Sequence, residues 1–237
     1  MQLSLWITAA FIVVEFAAGI KAQSLALLSD AGHNFTDALA LALAWFAFHL
    51  QSKPPNETKT FGYHRAGVLS AFLNAVTLVL LALFIFYEAY VRFLAPRVVQ
   101  ENIMIVVAGA GLLVNIAVMA ALRADRRHDI NIRGAFMHML GDALSSIGII
   151  IGGVVIAYTG LSWIDPLLSV LIGVLILWSG WDIIRESLNI LLEGSPRGMK
   201  REDICRALAE IDGVIDVHDV HAWSLSSNAH ALSCHAL

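Results

Sequence analysis

Charge is scarce in this sequence. Asp, Glu, Lys and Arg make up 14% of its 237 residues, where a soluble domain carries about 25%. Cysteine is scarcer still: the two, Cys205 and Cys234, both fall in the polar tail, so no disulfide framework is implied. There is no basic run, and the net charge is −4. That combination offers nothing to neutralise a phosphate backbone, so no nucleic-acid partner is expected. Two enzyme signatures are missing as well. No His-Glu-x-x-His occurs, which argues against an intramembrane metalloprotease. The nine histidines do not gather into the His-x-x-His-His clusters of membrane di-iron enzymes; the one tight pair is His218/His221. Neither an enzyme nor an organic cofactor is expected.

What is abundant is apolar residues, 58% of the chain. They gather into stretches near 3–20, 26–50, 67–94, 102–122, 134–158 and 161–184, each long enough to cross a hydrocarbon core about 30 Å thick as a helix. The expected fold is therefore an all-α polytopic membrane protein with six spans, embedded in a lipid bilayer. The first stretch lacks the basic start of a secretory signal and is interrupted by Glu15, so it is read as a retained span. Its abrupt beginning suggests a short leader ahead of it. Lys53, Lys59 and Arg65 follow the second span; Arg123, Arg126, Arg127 and Arg133 follow the fourth; Arg185, Arg197, Lys200 and Arg201 follow the sixth. The other loops hold Lys21, Arg92 and Arg97. Positive charge stays cytoplasmic, which places both termini inside.

From about Gly194 the composition turns polar. Lys200–Ile211 reads as an amphipathic helix with Ile204, Leu208 and Ile211 on one face. Val214–Val220 and Ala229–Ala236 alternate like strands around a turn at Ser226-Ser227-Asn228. One helix and two strands bury little core, so residues 191–237 read as the incomplete start of a cytoplasmic domain, after a transmembrane domain at 1–190.

Two near-identical heptapeptides carry the chemistry. His33-Asn34-Phe35-Thr36-Asp37-Ala38-Leu39 lies in the second span and His138-Met139-Leu140-Gly141-Asp142-Ala143-Leu144 in the fifth. Residues four apart share one face of a helix, so each span offers an imidazole and a carboxylate to the same side. Such groups are costly in lipid and should face one another inside the bundle. If the two spans run antiparallel, His33 meets the depth of Asp142 and Asp37 that of His138. Two nitrogens and two oxygens suit tetrahedral zinc, whereas all-oxygen sets suit magnesium, calcium or manganese. A channel could use the same ligands, although tight ligation opposes fast conduction. Glu15 and Asn74 read as hydrogen-bonders between helices, and Glu88 as an outer-interface anchor. Asp165-Pro166 reads as the start of the sixth helix, and Gly148 with Gly152 as a small-residue packing face.

At these residues the chain resembles the cation diffusion facilitator family, in its zinc/cadmium efflux branch. Ser24–His33, Phe61–Arg65, Asn189–Gly194 and Val217–Leu225 all look like signatures of that family, and the likeness runs through essentially the whole sequence. It implies a homodimer in the inner membrane of a bacterium that exchanges Zn2+, and Cd2+ as well, for protons by alternating access. Zinc would be the transported substrate. The family's transport site maps onto His33, Asp37, His138 and Asp142. The tail would begin a ferredoxin-like domain, here incomplete, in which His218 and His235 align with metal ligands and His221 is a further candidate, as are His230 and Cys234. Arg65 and Glu193 resemble a charge pair that interlocks the two domains of the dimer.

Overall fold

A backbone surrounded by lipid must satisfy its own hydrogen bonds, and a helix does so within one segment. In the computed structural model, which describes residues 2–122, 130–226 and 229–237, the apolar stretches form six helices of 21 to 30 residues: α1 (Gln2–Ala22), α2 (Leu25–Gln51), α3 (Ala66–Leu94), α4 (Glu101–Leu122), α5 (Ile130–Thr159) and α6 (Ile164–Leu191). A short helix α7 (Arg201–Ala209) and a hairpin, β1 (Val217–Ser224) and β2 (His230–Ala236), follow. Helices α3 to α6 are long and apolar enough to cross a membrane. Helix α2 is equally long but spends Asp30, His33, Asn34 and Asp37 within its first half.

The helices match the expected spans to within a few residues, with one notable shift in α6. Leu161 to Trp163 form a turn, with Ile164 N donating to Leu161 O at 3.2 Å, so the helix starts later than hydropathy suggests. It also runs seven residues past the expected end at 184, with Leu188, Ile190 and Leu191 in the added turns. Arg123, Arg126, Arg127 and His128 after α4, with Ser227 and Asn228 of the expected turn, lie outside the described residues.

The chain divides into two compact units. The first holds residues 1–38 and 78–178. Its core mixes small and branched residues, among them Ala22, Ala26, Ala82, Ala108, Ile149 and Ile156, all at most 4% exposed. Alanine at so many core positions lets helix axes approach closely. Glycine does the same in α5, although not as the sequence suggested. A Cβ on Gly152 would strike Leu168 of α6, and one on Gly153 would lie 2.7 Å from Ile105 of α4, whereas Gly148 meets nothing within 4 Å. The packing face is therefore Gly152-Gly153, touching two different helices. Gly153→Leu is expected to destabilise the protein by about 1–3 kcal/mol, the usual penalty of overpacking. Thermal unfolding in detergent would read it, and an unchanged midpoint would contradict the close α4–α5 approach.

The second unit holds residues 39–77 and 179–237. Ser70 on α3 donates to Leu43 O of α2 at 3.2 Å, and Gln51 Nε2 donates to His64 O at 3.0 Å. Between α2 and α3, Asn56 Oδ1 accepts from Lys59 N at 2.8 Å and Thr58 N at 3.0 Å, which closes the turn after Pro54-Pro55. Strands β1 and β2 are antiparallel, with Val217 opposite Ala236 and Ser224 opposite His230. Strand β1 begins three residues later than alternation predicts. A bulge between His218 and His221, where Asp219 takes φ 54°, breaks the two-residue period that the sequence pattern relies on.

Candidate metal centre

Helices α2 and α5 place their His-x-x-x-Asp pairs against each other within the first unit. Asp30 meets Ser145, His33 meets Asp142 and Asp37 meets His138, so numbers rise on α2 as they fall on α5. That is an antiparallel pairing in one register. His33 Nε2 lies 3.7 Å from Asp37 Oδ2 and 3.8 Å from Asp142 Oδ1. His138 Nε2 lies 3.2 Å from the same Asp37 oxygen and 3.7 Å from Asp142 Oδ2. The imidazoles stand edge to face, their centroids 5.9 Å apart. His33, His138 and Asp142 can offer one ligand atom each within 4.8 Å of one another.

These separations match one chemical object. Four donors placed about 2.1 Å from a zinc ion at tetrahedral corners lie roughly 3.4 Å from one another. The four His–Asp distances, 3.2 to 3.8 Å, lie near that edge length, although Asp142 turns a different oxygen to each imidazole and Asp37 is not among the three residues whose ligand atoms all lie within 4.8 Å of one another. Asp37 Oδ2 and His33 Nδ1 are also buried with no hydrogen-bond partner among the described residues. A carboxylate oxygen left so is expensive unless a cation takes it up. Asp142 is 6% exposed and turns one oxygen toward each imidazole.

Other expected sites fare differently. Arg65 Nη2 and Glu193 Oε1 form an ion pair at 3.0 Å within the second unit; both side chains are well exposed, so the pair contributes under about 1 kcal/mol. His218 and His235 face each other across the hairpin with ring centroids 5.4 Å apart. His221 does not join them as a third ring: its Nε2 lies 2.9 Å from Asp219 Oδ1. That contact holds the Asp219 carboxyl below the usual carboxylate range. Asp219 escaped the sequence reading, and only its place between two histidines in the motif hinted at it. His230 Nδ1 lies 3.2 Å from Ser224 Oγ, and Cys234 is a free thiol. Asn74 does not behave as a hydrogen-bonder through its Oδ1, which is buried without a partner among the described residues.

Asp165 is the larger surprise. It sits at the first turn of α6, yet its carboxylate caps α2, accepting from Ser24 Oγ at 2.5 Å, Leu25 N at 2.7 Å and Ala26 N at 3.2 Å. Arg92 of α3 lies 3.5 Å from it and donates to Gln23 O at 2.5 Å. Glu88 then accepts from Arg92 at 3.1 Å and pairs with Arg97 at 3.5 Å, which makes it part of this network.

Long apolar helices and a partly buried cluster of His and Asp donors define a polytopic membrane protein whose first unit can hold a divalent cation. Comparison with known proteins gives the family. The model described as the cation efflux transmembrane domain matches residues 1–192, and the one for the cation efflux protein cytoplasmic domain matches residues 196–237. The chain belongs to the cation efflux, or cation diffusion facilitator, family of membrane transporters. It is 40% identical over 229 residues to a cadmium, cobalt and zinc/H(+)-K(+) antiporter of Bacillus subtilis, covering 96% of this chain and 74% of that protein. It is 42% identical to the zinc transporter ZitB of Escherichia coli, over 92% of this chain and 70% of the relative. The metal cation efflux system protein CzcD of Cupriavidus metallidurans is 36% identical along the full chain, which covers 75% of its length.

Proposed function

We propose that this protein exports Zn2+, and Cd2+ with it, from the cytoplasm in exchange for protons, by alternating access around His33, Asp37, His138 and Asp142. The observation that carries the proposal is the convergence of the two His-Asp pairs at tetrahedral edge distances. Relatives named as zinc transporters and as a cadmium, cobalt and zinc antiporter support the choice of cargo. Binding needs neutral imidazole and ionised carboxylate, so each captured ion displaces protons. Imidazole titrates near neutral pH, so a site opened to a more acidic exterior exchanges its metal for protons, and the gradient drives export.

Residues 1–190 then form the transport domain, and 191–237 belong to a cytoplasmic domain that joins two chains. Both termini face the cytoplasm of a bacterial inner membrane, with the Lys- and Arg-rich loops inside. His218 and His235, with His221 and Asp219 close by, form a secondary cytoplasmic metal site, and Arg65–Glu193 ties the second unit's helices to its linker. The test is zinc uptake into inside-out vesicles with an acidic lumen. Saturable uptake that collapses when the pH gradient is dissipated is expected. Uptake indifferent to the gradient would overturn the antiport and point to a channel.

A further inference from the structure

One turn from the ligand cluster, three helices of the first unit bring together a second set of ionisable groups that the transport site leaves unused. Glu15 of α1 and Asp30 of α2 are 1% and 4% exposed. Asn34, which bonds Glu15, lies one turn along α2 from Asp30, so the two carboxyls sit on the same side of that helix. Glu15 Oε2 accepts from Asn34 Nδ2 at 3.0 Å, and Asp30 Oδ1 accepts from Ser145 Oγ at 2.9 Å. Among the described residues no Lys or Arg pairs with either carboxyl. The ionisable groups that face them are Asp142 of α5 and, for Asp30, His33 of α2. Neither carboxyl touches a metal ligand directly.

Each carboxyl accepts from a neutral donor, the Asn34 amide or the Ser145 hydroxyl, so burial favours a pair that keeps one proton. Two bare carboxylates buried side by side, with no cation, would be far costlier than a pair sharing that proton. The metal-free protein therefore stores a proton here. The pair is also tied to the ligands by the helices themselves. Asp30 precedes His33 by three residues and Ser145 follows Asp142 by three, which is about 4.5 Å along each axis. A divalent charge arriving at that distance favours the ionised form of nearby carboxyls. In the proposed orientation, the start of α2 faces outward, so the pair lies between the ligands and the proton-rich side.

Resting on the proposed function, we propose that Glu15 and Asp30 form a proton-carrying pair of the exchanger, separate from the metal ligands. The pair loses its proton to water as a metal ion enters the His33–Asp142 cluster, and regains one when the ion leaves. Part of the proton count per metal is thereby carried by residues that never touch the metal.

The test is a zinc titration of the purified chain in weakly buffered detergent, with a pH indicator reading protons released per zinc bound. The Glu15→Gln/Asp30→Asn double variant should still bind zinc while releasing about one proton fewer per zinc than the parent. Equal release by the two proteins would overturn the inference. Should the double variant fail to fold, infrared difference spectra replace it. Zinc should remove the carbonyl stretch of a protonated carboxyl from the parent, and that loss should be missing or smaller in Glu15→Gln. The same band loss in both would also overturn it. Release that follows potassium concentration rather than pH would mean that the pair holds potassium, and would overturn the proton assignment. If the parent bound no zinc at all, the proposed function itself would fall, an outcome distinct from normal binding with unchanged release.

Discussion

Asp142→Ala is expected to abolish zinc transport while leaving expression and membrane insertion intact. The carboxylate gives one oxygen to each imidazole, at 3.8 and 3.7 Å, and its removal leaves three donors on one side of a four-cornered site. Residues that merely support metal ligands are worth about 10–100-fold in affinity, so the loss of a ligand should exceed roughly 100-fold. Asp37→Ala should do the same, because its Oδ2 lies within 3.7 Å of both histidines and has no hydrogen-bond partner among the described residues. Calorimetric zinc titration of the detergent-solubilised variants, beside uptake in inside-out vesicles, would measure both effects. Asp142→Asn separates charge from shape: it keeps an oxygen in place without the charge, and should fall between the parent and the alanine variant. Near-normal flux in either alanine variant would sink the assignment of the site.

The meeting of the two His-Asp pairs was legible in the sequence because its logic is local. A four-residue spacing fixes which side chains share a helix face, and the repeat of His-x-x-x-Asp-Ala-Leu in two spans required only that the helices face each other. The spans were legible because the cost of burying backbone in lipid acts on every residue of a stretch at once. Contacts made between distant segments were not. Asp165 looked like the start of its own helix, since a position in sequence says nothing of a neighbour 140 residues away. Gly148 and Gly152 had the right spacing for a packing face, yet the helices touch Gly152 and Gly153, because α4 and α6 meet α5 on different sides. The start of β1 was misplaced because Val214 N is taken by Ile211 O in the turn after α7, a bond that side-chain alternation does not show. Asp30 stood within a family-like motif, but its place beside Glu15 needed α1 to be laid against α2, as the Asn34–Glu15 bond does.

Asp165→Ala should be the most destabilising substitution outside the metal cluster. The first turn of α2 leaves backbone N–H groups without helical partners, and Asp165 satisfies two of them together with the Ser24 hydroxyl while being fully buried. Removing it takes one of two carboxylates from Arg92, itself only 4% exposed, and leaves an uncapped helix end beside it. Breaking a buried pair from one side costs about 3–5 kcal/mol. For a chain of this size that corresponds to a fall in unfolding midpoint on the order of 10 °C. Asp165→Asn keeps an acceptor for the α2 backbone but gives up the charge opposite Arg92, so its midpoint should lie between those of the parent and the alanine variant. A melting series in detergent would read this order directly. A fall of less than about 2 °C in Asp165→Ala, which is at most roughly 1 kcal/mol for a chain of this size, would mean that α2 is held in place by its apolar packing alone. The consequence for transport follows from where the cap sits: α2 carries His33 and Asp37 a few turns further on, so whatever anchors its first turn also fixes the height at which half of the proposed ligands stand.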